Sequence, residues 1–126
     1  MDLRDALYSI DYYKIEQLVQ LIWLPGIQQL TDQDFREALS VFAEGVLQHH
    51  AERLIIDMRR FMQRPSDEVL AWRDEVIVPK YAEAGVKMLA WLWPGVPEDD
   101  MGTGAGYKQR YFASPDDAIA WLLGRS

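Results

Sequence analysis

Two stretches of this chain are apolar on both sides of a pleated strand. One is Leu54-Ile55-Ile56. The other is Val86-Lys87-Met88-Leu89-Ala90-Trp91-Leu92-Trp93. Successive side chains of a strand point to opposite faces of its sheet, so such segments must be covered above and below. Buried parallel strands alternating with helices meet that demand, and little else does.

The segments around them have helical or strand character of their own. Tyr12 to Leu24 is rich in Tyr, Ile, Val, Leu and Trp, and reads as extended until Pro25-Gly26 ends it. Strands at about 12–16 and 18–24 are the first choice. No Asn-Gly or Asp-Gly marks a turn between them, so one long strand is the alternative. Thr31 is an N-cap with Asp32 and Asp34 in the first turn, and Phe35, Leu39, Phe42 and Val46 then recur on one helical face to about Gln48. Ser66 caps a second helix, with Asp67 and Glu68 behind it and Val69, Trp72 and Val76 as its apolar stripe. Pro79 should break or restart that helix near Val78, leaving a short turn through Ala84 that Gly85 ends. Glu98 to Gly106 reads as a polar, Gly-rich, mobile loop, and Tyr107 to Phe112 as the last strand. Ser114-Pro115-Asp116-Asp117 opens a terminal helix anchored by Ile119, Leu122 and Leu123.

The order is β-β-α-β-α-β-β-α. It predicts an α/β fold: one mixed, mostly parallel sheet of about five strands, packed by about three helices. The 126 residues suit one domain spanning 1–126, with 1–11 expected to be loosely ordered. The absence of cysteine removes disulfides, thiol nucleophiles and Cys-ligated zinc, and fits a reducing compartment. The acidic start Met1-Asp2-Leu3-Arg4-Asp5 lacks an apolar core for a signal peptide, and no apolar run is long enough to span a membrane. A cytoplasmic location is expected. The net charge of −7 repels phosphate backbones and anionic membrane surfaces, so nucleic acid is not an expected partner.

The pattern resembles the small bacterial SpoIIAA-like domains of STAS/Sec14 type. The matching residues are Trp23-Leu24-Pro25-Gly26 ahead of the helix carrying Phe35-Arg36-Glu37-Ala38; Leu54-Ile55-Ile56-Asp57-Met58-Arg59; Trp72 with Val78-Pro79; Gly85-Val86-Lys87; and Phe112 followed by Ala118-Ile119-Ala120-Trp121-Leu122. They extend from about Tyr12 to Leu123 and are packing signals. The resemblance implies a sheet packed by helices, and no single function. It also implies a test of one serine. In the family's phosphoswitch members, a strand ending in Asp or Asn is followed about nine residues later by a phosphorylatable Ser. Asp57 and Ser66 have that spacing, but the chain reads Arg64-Pro65-Ser66-Asp67-Glu68, without the expected Asp-Ser-Ser-Gly pattern. Two acids beside Ser66 also oppose a phosphate, so a plain N-cap is the expected role.

Asp57, Arg59 and Arg60 fall at the carboxyl end of a central strand, where open α/β sheets bind ligands. Ser66 and Trp93 are expected at the same edge. An acid and two arginines there could hold a small anion or a peptide carboxylate. The competing account has Asp57 capping a local turn or pairing with Arg59, and Arg60 simply solvated. Trp91 and Trp93 share a strand face and could line a pocket or an interface. The adjacent His49 and His50 lack the four-residue spacing of a helical metal site. Gly102-Thr103-Gly104-Ala105-Gly106-Tyr107-Lys108 fails the phosphate-loop spacing, because Tyr107 intervenes before the lysine and Gln109 follows it. Glu98, Asp99 and Asp100 lack EF-hand spacing. No serine has an evident base.

The leading expectation is a non-catalytic binding or regulatory module without cofactor or metal. It would meet a protein partner, or a second copy in a homodimer, through Asp57, Arg59, Arg60, Ser66 and Trp93. The first alternative is a carrier of a small apolar ligand, which requires an enclosed pocket lined by Trp and Leu. The second is an enzyme, which requires an activated Asp57 in a cleft.

Overall fold

The computed structural model describes residues 8–23, 30–59, 65–93, 107–124 and the backbone of 100–104. Its strands are β1 (Tyr8–Tyr13), β2 (Leu18–Trp23), β3 (Arg53–Asp57), β4 (Met88–Leu92), β5 (Asp100–Gly104) and β6 (Tyr107–Phe112). They form one sheet in the order β1-β2-β3-β4-β6-β5. The inner four are parallel, and β1 and β5 are antiparallel edges. The helices are α1 (Asp32–His49), α2 (Asp67–Trp72), α3 (Val78–Ala84) and α4 (Pro115–Leu122). The mostly parallel α/β sheet expected from the sequence is present.

β1 and β2 are two strands, with Tyr13 opposite Leu18 and Tyr8 opposite Trp23. The Gln17 N–H donates to the Lys14 carbonyl at 3.2 Å, and Gln17 takes a left-handed φ of 52°. A hairpin connection of this length is built on an ordinary turn, so it needs no Asn-Gly. β1 begins ahead of its expected start because Tyr8 and Ile10 pack on the core. Part of the N-terminal segment expected to be loose is therefore strand; residues 1–7 lie outside the described residues. β5 occupies most of the segment expected as a mobile loop, with its backbone paired to β6.

The sheet has two unequal cores. Val19, Leu21 and Trp23 of β2, Leu54 and Ile56 of β3, and Leu89 of β4 face α1, α2 and α3. Leu18, Ile55, Ala90, Leu92 and Phe112 face Ala118 and Leu122 of α4. Winding runs one way from β2 through β3 to β4, so right-handed crossovers put α1 and α2–α3 on one face. α1 opens with a capping box: the Asp34 N–H donates to Thr31 Oγ1 at 3.1 Å, and the Thr31 N–H to Asp34 Oδ2 at 2.9 Å. At the amino end of the sheet, Arg53 donates from Nη1 to the Glu16 carbonyl at 2.7 Å and from Nε to the Leu122 carbonyl at 2.8 Å.

α2 and α3 are joined without a break by a π turn, Arg73–Ile77, in which the Val78 N–H donates to the Arg73 carbonyl. This revises the expected stripe. Val69, Ile77 and Tyr81 are buried, Val76 is exposed and Trp72 half-buried. An α-helix turns about 100° per residue, so positions four apart drift by about 120° over twelve residues. One extra residue in a π turn takes up that drift and keeps Val69, Arg73, Ile77 and Tyr81 on the sheet side. The wider turn also precedes Pro79, whose missing N–H and bulky ring an unbroken α-helix would not accommodate.

A candidate aromatic cleft beneath α2

Between the sheet and the α1–α2 layer lies a cleft of about 320 Å³. Alternation along the strands sets its floor: Trp23 from β2, Ile56 of β3 with Met58 just past it, and Trp91, Trp93 and Tyr111 from the β4–β6 side. Phe35 and Leu39 of α1 and Pro65, Val69 and Leu70 around α2 form the roof. Ring contacts fix both walls. Trp23 meets Phe35 edge-on at 5.3 Å between centroids. Tyr111 stands between Trp91 at 6.1 Å and Trp93 at 6.3 Å. Trp91 Nε1 donates to Gln109 Oε1 at 3.2 Å, which satisfies that indole and fixes its ring.

Arg73 is the one charged side chain among the described lining residues. It opens the π turn. Its Nε and Nη2 both donate to the same oxygen, Oδ1 of the neighbouring Asp74, at 3.4 and 3.1 Å, and Asp74 is exposed. Its charge is also felt inside. Burial, above all, raises the pKa of the Tyr81 and Tyr107 hydroxyls, and the Arg73 cation acts against that rise in both.

Of the described residues singled out in the sequence, Asp57 and Arg59 come together, on the face of the sheet opposite Trp93. Asp57 is buried on the α4 side of the sheet, opposite Leu92. Its Oδ1 accepts from the Arg59 N–H and Nε at 3.0 Å each, and its Oδ2 from Nη2 at 2.8 Å. The hydrogen bonds that Arg59 donates to Asp57 raise the Arg59 pKa, with burial opposing. The pair is thus occupied with itself, as the competing account required. Trp93 packs on the other face, in the cleft wall. Ser66 accepts from the Val69 N–H at 3.2 Å as the N-cap of α2. Arg60 lies outside the described residues.

Trp91 and Trp93 were legible as a shared face. In the sequence, Trp23, Phe35 and Tyr111 read only as strand and helix residues, because their meeting depends on sheet order. Arg73 was not singled out. The signal that could have found it is the spacing of four through Val69, Arg73, Ile77 and Tyr81, in a segment that also contains Pro79.

Among the described residues, no group of three or more His, Asp or Glu is arranged to hold a metal ion. No helix among them is long and apolar enough to cross a membrane. Comparison of the chain with protein-family models, with curated proteins and with solved structures finds no match.

Proposed function

We propose that the protein is a non-catalytic binding module for a small, largely apolar molecule, held in the cleft between Trp23–Phe35 and Trp91–Tyr111–Trp93. The observation that carries this reading is an aromatic cleft, buried at one end and open at the other, whose only described charge is Arg73. Small-molecule sites are concave, mostly apolar and furnished with few polar groups, and span about 300–1,000 Å³. A volume near the lower bound suits one ring system or one short chain rather than a two-chain lipid. The described lining offers no His, Ser, Asp or Glu to act as nucleophile or base, which favours binding over catalysis.

This reading takes the carrier alternative over the protein-interaction module first expected at Asp57, Arg59, Arg60, Ser66 and Trp93. That surface loses its support because the acid and arginine satisfy each other and Trp93 faces away. The cleft is formed by one chain, so the reading needs neither a protein partner nor a second copy. A cytoplasmic setting belongs to the proposal too, supported by an acidic chain without cysteine. So does the STAS/Sec14-type relationship, supported by packing residues such as Phe35, Ala38 and Phe112 that are buried on their elements.

The test is calorimetric titration with 2-naphthamide, a neutral two-ring probe, together with indole N–H shifts of Trp91 and Trp93. Saturable one-to-one binding that moves those signals and is lost in Leu70→Trp, which fills the cleft mouth, is the expected result. Absence of binding, or binding indifferent to Leu70→Trp, overturns the reading.

A further inference from the structure

The cleft is not uniform from end to end. Trp23, Phe35, Ile56, Met58 and Val69 are all at most 2 % exposed. Leu70, Arg73, Trp91, Trp93 and Tyr111 are half-buried. The dry end is therefore the Trp23–Phe35 end, and the water-facing mouth carries the guanidinium. We propose that the ligand is an organic anion with an aromatic or short-chain body, bound body-first against Trp23 and Phe35 with its acid group on Arg73. The inference rests on the cleft being a small-molecule site, and names the chemistry of its ligand.

The two arginine–aspartate pairs among the described residues show why Arg73 is available. Arg59 places two nitrogens on two oxygens of a buried carboxylate, which is the geometry a guanidinium and a carboxylate share. Arg73 places two nitrogens on one oxygen of its immediate neighbour, at longer range, and that neighbour stands in water. An exposed pair of this kind is weak and easily exchanged for another partner. A ligand carboxylate arriving from the cleft can offer both oxygens in the same plane and in a less polar setting, where the contact is stronger. The net charge of −7 gives no long-range attraction for an anion. Selection must therefore come from contact: apolar walls for the body, Arg73 for the head.

The experiment compares 2-naphthoate with 2-naphthamide, which share a body and differ in charge. Calorimetry at neutral pH is run on the intact protein and on Arg73→Met, Arg73→Lys and Asp74→Asn, each first checked for native circular dichroism. The intact protein should prefer the anion by about tenfold or more. Arg73→Met should erase that preference. Arg73→Lys should restore part of it, and Asp74→Asn should enlarge it. Equal affinity for the two probes, both lost in Leu70→Trp, overturns the anion assignment and leaves the cleft reading standing. Failure of both probes to bind the intact protein overturns both readings. A preference that survives Arg73→Met overturns the role of Arg73.

Discussion

The Arg59 guanidinium grips both oxygens of the Asp57 carboxylate, Nε to Oδ1 at 3.0 Å and Nη2 to Oδ2 at 2.8 Å, while Asp57 itself is only 1 % exposed. The acid is buried and its partner reaches out to water, so the two ends of this contact are not equivalent. Removing Arg59 leaves a buried carboxylate with the backbone N–H of residue 59 as its remaining hydrogen-bond donor among the described residues; removing the acid's charge leaves a cation that can be hydrated.

An asymmetry in stability follows. Asp57→Asn should cost about 1–2 kcal/mol, the worth of the lost charged hydrogen bonds. Arg59→Met should cost about 3 kcal/mol, because it strands a buried charge. The double variant should be more stable than Arg59→Met alone. Urea midpoints at neutral pH measure this, and the reverse order of the two single variants would contradict it.

Tyr81 makes the opposite case. Its hydroxyl is buried without a hydrogen-bond partner among the described residues, and its ring is held edge-on by Phe42 and Tyr107. Tyr81→Phe keeps the ring and deletes the unsatisfied group, so it should leave the protein as stable or up to about 1 kcal/mol more stable. The effect should grow in alkali. Burial raises the Tyr81 pKa, so the unfolded chain releases this proton near the ordinary value of about 10 while the folded chain holds it. Fewer protons bound in the unfolded state mean that stability falls as pH rises above that value. Thermal melts between neutral pH and pH 11 should show a shallower decline for Tyr81→Phe than for the parent. Parallel declines would assign the alkaline loss to other groups.

The π turn makes a prediction about chain length. A π turn is one residue more than an α-helix requires, so deleting the exposed Glu75 should restore an α-helix with Val69, Ile77 and Tyr81 still inward. Pro79 would then clash with the carbonyl of Asp74, at a cost of about 3 kcal/mol. Deletion of Glu75 together with Pro79→Ala should therefore be better tolerated than deletion alone. Thermal midpoints of the two deletion variants decide it; equal destabilisation would mean that Pro79 does not depend on the extra residue.

The fold was legible where one physical rule governed a segment. Leu54-Ile55-Ile56 admits little but a buried strand, and Phe35, Leu39, Phe42 and Val46 define α1 by spacing alone. Legibility failed where two rules competed. Val69, Trp72 and Val76 satisfy the ordinary helical period, but Pro79 and the inward demand of Ile77 and Tyr81 impose a π turn. The β5 segment reads as a loop in the sequence because Gly102 and Gly104 carry no pattern, and its pairing comes from β6. For the candidate site, sequence placed Trp91 and Trp93 on one face but put the chemistry at Asp57, on the other side of the sheet. A strand end delivers residues to both faces, and only the packing of α2 shows which side has room.

Arg53 sits at the far end of the sheet from the cleft and touches the chain at Glu16 and at Leu122. One side chain in the middle of the sequence thereby ties the first hairpin to the last helix. The β1–β2 connection and the end of α4 are coupled, so a disturbance of α4 should register in that connection, and unfolding at either should recruit the other into the same cooperative event.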